Sequence, residues 1–206
     1  MVVYSLDHLT QGPRQDVLGP IQDDEALVLF ALIKCMRLKR VFEIGGGDGY
    51  SARNFLEAVG PTGIVYTVDV NPVQVQGPCH RFIHKNALDI TPEDLDCQPL
   101  DLVFFDCHDM VQMNVFENLL EKGLVTDKTV LTLHDTNLHY AQFCHWASPV
   151  DNGWAHQPVE REMVNIFKEK FGYDIFCYHT GAEHHDDSMP FRHGITICKK
   201  FQRLVQ

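Results

Sequence analysis

The sequence predicts an α/β fold: a mainly parallel sheet of seven strands whose last strand runs antiparallel, with helices on both faces. Three observations predict it. Short apolar runs alternate with helical stretches through the first two thirds of the chain, the pattern of a parallel sheet covered on both sides. The first of these runs ends in a glycine cluster, as strands do where a helix must start at once. The last two runs are joined by a polar loop with no helix between them, so they should pair antiparallel.

In order along the chain, residues 1–21 contain Gly12, Pro13, Gly19 and Pro20 without sustained periodicity and read as an arm or cover. Asp23 and Asp24 then open a mostly buried helix, EALVLFALIKCMR, with acidic residues at its start and cations at its end. The first strand is Arg40 to Ile44, followed by the helix SARNFLEAV. Gly60, Pro61 and Gly63 mark a turn, and Ile64 to Val70 is the second strand. RFIHKNALDI holds the third, DLVFFD is the fourth, VQMNVFENLLEKGL is a helix, and TVLTLH is the fifth. REMVNIFKEKFG is an amphipathic helix ending at Gly172, and YDIFCYH and GITICKKF are the closing pair of strands.

A chain of 206 residues, 45% hydrophobic and 22% charged, suffices for one domain, with a core over 22–200. The 17 Lys and Arg against 28 Asp and Glu give a net charge of −11, which repels nucleic acid and anionic membranes. No basic stripe offsets it, and no apolar run approaches the roughly 18 residues of a membrane span. The N-terminus has no signal-peptide pattern, and seven scattered cysteines without CxxC read as reduced thiols, so a cytoplasmic location is expected.

Ligands of open parallel sheets bind beyond the carboxyl ends of the strands, near the point where strand order reverses. Four places therefore matter. In VFEIGGGDGYS, Gly45, Gly47 and Gly49 alternate directly after a strand, with Glu43 two residues ahead and Tyr50 and Ser51 opening a helix. Such glycines let a ligand approach the backbone, while the helix start offers unpaired N–H groups. The spacing is GxGxG, not the GxGxxG of dinucleotide folds. Asp69, with Val70 after it, ends the second strand 20 residues beyond Gly49, where a carboxylate can accept both hydroxyls of an adenosine ribose. Asn86, Ala87, Leu88 and Asp89 follow the third strand and suit the edge of an adenine ring.

These residues, with Asp106 after the fourth strand, resemble the class I S-adenosylmethionine-dependent methyltransferases over about residues 22–200. The resemblance implies a Rossmann-like seven-stranded sheet, with Glu43 and the glycine loop at the methionine end of the cofactor, Asp69 at the ribose and the Asn86 to Asp89 turn at the adenine.

The fourth place concerns the chemistry. Asp106, His108 and Asp109 end one strand, and His134, Asp135, Asn137 and His139 end the next. Carboxylates and imidazoles converging from two strand ends can hold a divalent cation such as Mg²⁺. The arrangement is similar to small O-methyltransferases of the catechol type and of the sugar and natural-product type, which implies Asp106, Asp135 and His134 as metal ligands. Asp109 stands where the catechol type has its Lys, and Thr136 where that type has Asn. His134, His108 and Asp135 are the candidate catalytic residues, with His139 a third choice of base. Methyl transfer from S-adenosylmethionine to a hydroxyl of a small-molecule metabolite is the expected activity. Metal-free N- or carboxyl-methylation, a nicotinamide-dependent oxidoreductase and a non-catalytic adenosyl-binding subunit are the alternatives. The loop with Trp146, Trp154 and His156 reads as a lid or a plain surface loop, and His184, His185, Asp186 and Asp187 as a solvated hairpin tip. A homodimer is left open.

Overall fold

The computed structural model describes residues 5–10, 21–107, 111–136, 149–150, 153–154, 158–178 and 194–201. Helix α1, Asp23–Met36, begins in a capping box: the Gln22 side chain accepts from a first-turn N–H, and the Glu25 carboxylate accepts from the Gln22 N–H at 2.8 Å. It stops at Arg37, which turns left-handed at φ 56°. Strand β1 is Arg40–Ile44, α2 Tyr50–Val59, β2 Ile64–Asp69, β3 His80–His84, β4 Leu102–Phe105, α3 Val111–Glu121 and β5 Val130–Leu133. Two short strands, β6 (Pro149–Val150) and β7 (Gly153–Trp154), pair with each other inside the stretch expected to be irregular. Helix α4, Pro158–Glu169, starts three residues before the predicted one, and β8 (Asp174–Tyr178) and β9 (Ile195–Lys199) close the chain.

The seven-stranded sheet has the order β3-β2-β1-β4-β5-β9-β8. The first five are parallel, and β9 runs antiparallel to both β5 and β8. The predicted architecture is therefore the observed one. Strands β4 and β5 are buried at every residue, as strands covered on both faces must be. One face packs on α1 and α2 through Leu29, Ile33, Phe55 and Phe104. The other packs on α3 and α4 through Phe105, Phe116, Met163 and Phe167. Phe167 is fully buried with its ring 4.6 Å from that of Phe116, so its truncation to Ala should cost about 3–5 kcal/mol.

The order reverses at β1. The chain moves outward from β1 through β2 to β3, then returns to place β4 on the other side of β1. Loops leaving the carboxyl ends of β1 and β4 consequently diverge, and a crevice opens between them.

Candidate active site

The crevice is a cavity of about 180 Å³ lined by Gly45, Asp69, Val70, Asn86 and Ala87, together with Ile44, Val68, Lys85, Cys107 and Val111. Five of the residues singled out for cofactor binding thus meet around one space. Gly45 has φ 91°, and a Cβ there would overlap the Asp106 carbonyl, so glycine is required on both grounds. Gly49, at φ 82°, is pressed against Val75 from the loop after β2.

Asp69 holds this loop. Its Oδ2 accepts from the N–H groups of Gly46 at 2.8 Å and Gly47 at 3.1 Å, and its Oδ1 accepts from Asn71 N at 2.7 Å. The carboxylate has lone pairs left for a ligand, yet in this structure its first task is to shape the glycine loop. Asn86 caps the short turn after β3, its side-chain oxygen accepting from Leu88 N at 3.0 Å. Leu88 contributes that N–H and is not among the lining residues. Tyr50 is also placed otherwise than its motif position suggests: its ring is buried on the α1 side, and its hydroxyl donates to Asp23 at 2.6 Å. The neighbouring Ser51 is buried beneath the loop.

Glu43 is completely buried. Its Oε2 lies 2.7 Å from Thr67 Oγ1, and Oε1 has no hydrogen-bond partner. Burial pushes its carboxyl up to about 8, Ser51 and Thr67 pull the other way, and the charges of Asp106 and Asp69 raise it further.

Beside the cavity, the ends of β4 and β5 bring Asp106, His134 and Asp135 together, with ligand atoms all within 4.8 Å of one another. His134 Nδ1 is 3.0 Å from Asp106 Oδ1 and 3.4 Å from Asp135 Oδ1. Its Nε2 is 3.3 Å from Glu25 Oε2. Burial alone would pull His134 down, but Asp135, Asp106 and Glu25 together hold it well above the usual histidine range. Both ring nitrogens thus face carboxylates. Asp135 sits at φ 59°, a left-handed conformation costly for most residues and easiest for Asp, Asn and Gly.

Glu25 was not singled out from the sequence. It lies in the first turn of α1, where an acid reads as a cap and nothing else, yet it is buried and its Oε1 accepts from Gly194 N at 3.0 Å. Burial pushes its carboxyl up, and His134 with the Gln22 N–H brings it below its ordinary value. Lys85 and Cys107 were likewise missed as lining residues. Only the alignment of β3 and β4 with β1 brings them to the crevice. His108, Asp109, Asn137, His139, Trp146, His156, His184, His185, Asp186, Asp187 and the Trp154 side chain lie outside what the structure describes.

No family model and no curated protein matches the chain. Solved structures do. An O-methyltransferase from Streptomyces achromogenes, TomG, involved in tomaymycin synthesis and in complex with SAM, superposes with a TM-score of 0.64 at 19% identity, over 97% of this chain and 92% of that one. A Staphylococcus aureus protein described as a caffeoyl-CoA O-methyltransferase gives 0.65 at 18% identity, covering 93% and 94%. An O-methyltransferase from Bacillus cereus in complex with SAH gives 0.62 at 15% identity, covering 88% and 83%. This chain has their fold. Its glycine loop, Asp69 and the β4 and β5 ends lie at the carboxyl edge of that Rossmann-like sheet.

Proposed function

We propose that the protein transfers the methyl group of S-adenosylmethionine to a hydroxyl of a small-molecule metabolite. The observation that carries this reading is the adjacency, at one sheet edge, of a glycine-looped cavity and a buried cluster of Asp106, His134, Asp135 and Glu25. Structural neighbours that hold SAM or SAH support the cofactor. When bound, that cofactor supplies an electrophilic methyl on a sulfonium.

The glycine loop presents its backbone to the cofactor, Asp69 keeps the loop in shape and offers its remaining lone pairs, and Asn86 and Ala87 form the far wall. The Asp106, His134 and Asp135 cluster is assigned the acceptor side, where the Asp135 carboxylate takes the proton the hydroxyl gives up and His134 positions that carboxylate. Orientation of the oxygen toward the methyl is the main contribution of such a site. The donor set suits a divalent ion: two carboxylates and an imidazole, with neighbouring ligand atoms 3.0 and 3.4 Å apart, close to the spacing around an ion with bonds of about 2.1 Å. Asp106, Asp135 and His134 would hold such an ion, which would supply acidification of a hydroxyl bound to it. A metal-free variant of the same reading has one observation in its favour: His134 Nδ1 already lies 3.0 Å from Asp106 Oδ1 and 3.4 Å from Asp135 Oδ1. The net charge of −11 suits a small-molecule partner better than nucleic acid or an anionic membrane.

Calorimetry with SAH, followed by transfer of a labelled methyl from SAM to a panel of small hydroxyl compounds with and without a chelator, tests the reading. Binding of SAH and hydroxyl methylation abolished by the chelator are expected. Absence of SAH binding overturns the methyltransferase reading, and full turnover after chelation overturns the metal.

A further inference from the structure

A chain of hydrogen bonds runs away from the glycine loop across three strands. Glu43 Oε2 on β1 is 2.7 Å from Thr67 Oγ1 on β2, and Thr67 Oγ1 is 3.0 Å from His80 Nε2 on β3. The other ring nitrogen, His80 Nδ1, is 3.0 Å from the carbonyl oxygen of Val75. A carbonyl only accepts, so Nδ1 carries a hydrogen.

Donor and acceptor counting then leaves two states. If His80 is neutral, its Nε2 must accept, so the single Thr67 proton points at His80 and Glu43 must donate to Thr67: the carboxyl is protonated. If His80 is an imidazolium, Nε2–H donates to Thr67, whose proton points at an ionised Glu43. The two states have the same net charge and differ by a proton moved along the chain. Complete burial of Glu43 and the nearby charges of Asp69 and Asp106 favour the neutral pair, and burial of His80 lowers its basicity to the same effect. Ser51 and Thr67 favour the ionised form of Glu43.

We propose that Glu43, Thr67 and His80 form a proton relay that transfers the Glu43 proton to His80 when a cationic group of the cofactor docks on the glycine loop. The inference rests on the S-adenosylmethionine reading above. The Glu43 O–H bond breaks as a proton passes to Thr67 Oγ1, and the original Thr67 proton forms the new N–H at His80 Nε2. Glu43 gains a negative charge against the ligand cation, and His80 gains the balancing positive charge two strands away. His80 is thereby a positioning residue. It also grips, through the Val75 carbonyl, the loop whose Val75 side chain packs against Gly49.

The test is nitrogen-15 NMR of the histidine rings in the full chain, with His80 assigned from the His80→Gln spectrum, titrated with SAH and with 5′-methylthioadenosine, which lacks the amino-acid ammonium. SAH should convert His80 Nε2 from a pyridine-type to a protonated nitrogen, and methylthioadenosine should not. Thr67→Val should abolish the conversion and weaken SAH about tenfold, the loss of roughly one hydrogen bond to a charged group, and Thr67→Ser should restore both. If SAH binds while His80 stays unprotonated, or if methylthioadenosine converts it equally, the relay is wrong and the cofactor reading stands. If calorimetry shows no SAH binding, both fail.

Discussion

The two rims of the parallel sheet handle charge in opposite ways. At the amino ends of the strands Arg40, Arg81, Asp96 and Asp101 each meet a partner. Arg40 and Arg81 lie 5.2 and 5.4 Å from the Tyr66 ring centre, the Tyr66 hydroxyl donates to Asp96, Arg81 pairs with Asp96, and Asp101 accepts from the N–H groups of Lys39 and Arg40 at 2.7 and 2.9 Å. At the carboxyl ends acids accumulate: Glu25, Asp106 and Asp135 surround the buried His134, and Glu43 lies within electrostatic reach of Asp106 and Asp69. The first arrangement stabilises a fold. The second costs stability, because like charges gather there away from water.

The largest test of that contrast is Asp135→Asn. Asn keeps both the shape and the tolerance for φ 59°. Turnover should fall at least about a hundredfold while SAH affinity changes by less than about twofold. Preserved turnover would make the carboxyl rim as structural as the amino rim. Gly45→Ala comes next: overlap with the Asp106 carbonyl and the left-handed backbone should cost about 2–4 kcal/mol in denaturant unfolding and remove SAH binding. Asp101→Ala, on the opposite rim, should cost about 1–2 kcal/mol by releasing two backbone N–H groups and leave SAH affinity unchanged. A change in affinity would blur the division between the rims.

The pH dependence gives a smaller effect of definite sign. Glu43, raised from 4.5 to about 8, holds an extra proton in the folded chain between those values. Its stabilisation is complete below about 4.5 and is lost as the pH rises through about 8. Thermal unfolding of Glu43→Gln should therefore lose less Tm than the parent as the pH rises across that interval. The smallest effect belongs to Arg81→Ala, a half-exposed pair worth under about 1 kcal/mol by chemical denaturation.

Much of the site was legible in the sequence. Gly45, Asp69, Val70, Asn86 and Ala87 were identified from their order after strands one to three and do line one cavity. A parallel α/β sheet sends every such strand end to the same edge, so sequence position alone selects the edge. Asp106, His134 and Asp135 were selected for the same reason and do converge. Tyr50 and Leu88 were not separable from their neighbours, because which side of a loop a residue faces depends on packing.

By itself, then, the sequence determined the fold class and the strand ends that carry Gly45, Asp69, Asp106 and Asp135, since these follow from periodicity and from where strands end. The tertiary structure alone decided the partnerships. Glu25 reaches His134 across 109 positions of sequence, and His80 reaches Glu43 through Thr67. Both links form between segments brought together only by packing α1 on the sheet and aligning β3 with β2, and the burial and neighbouring charges of that packing together set the direction of their pKa shifts.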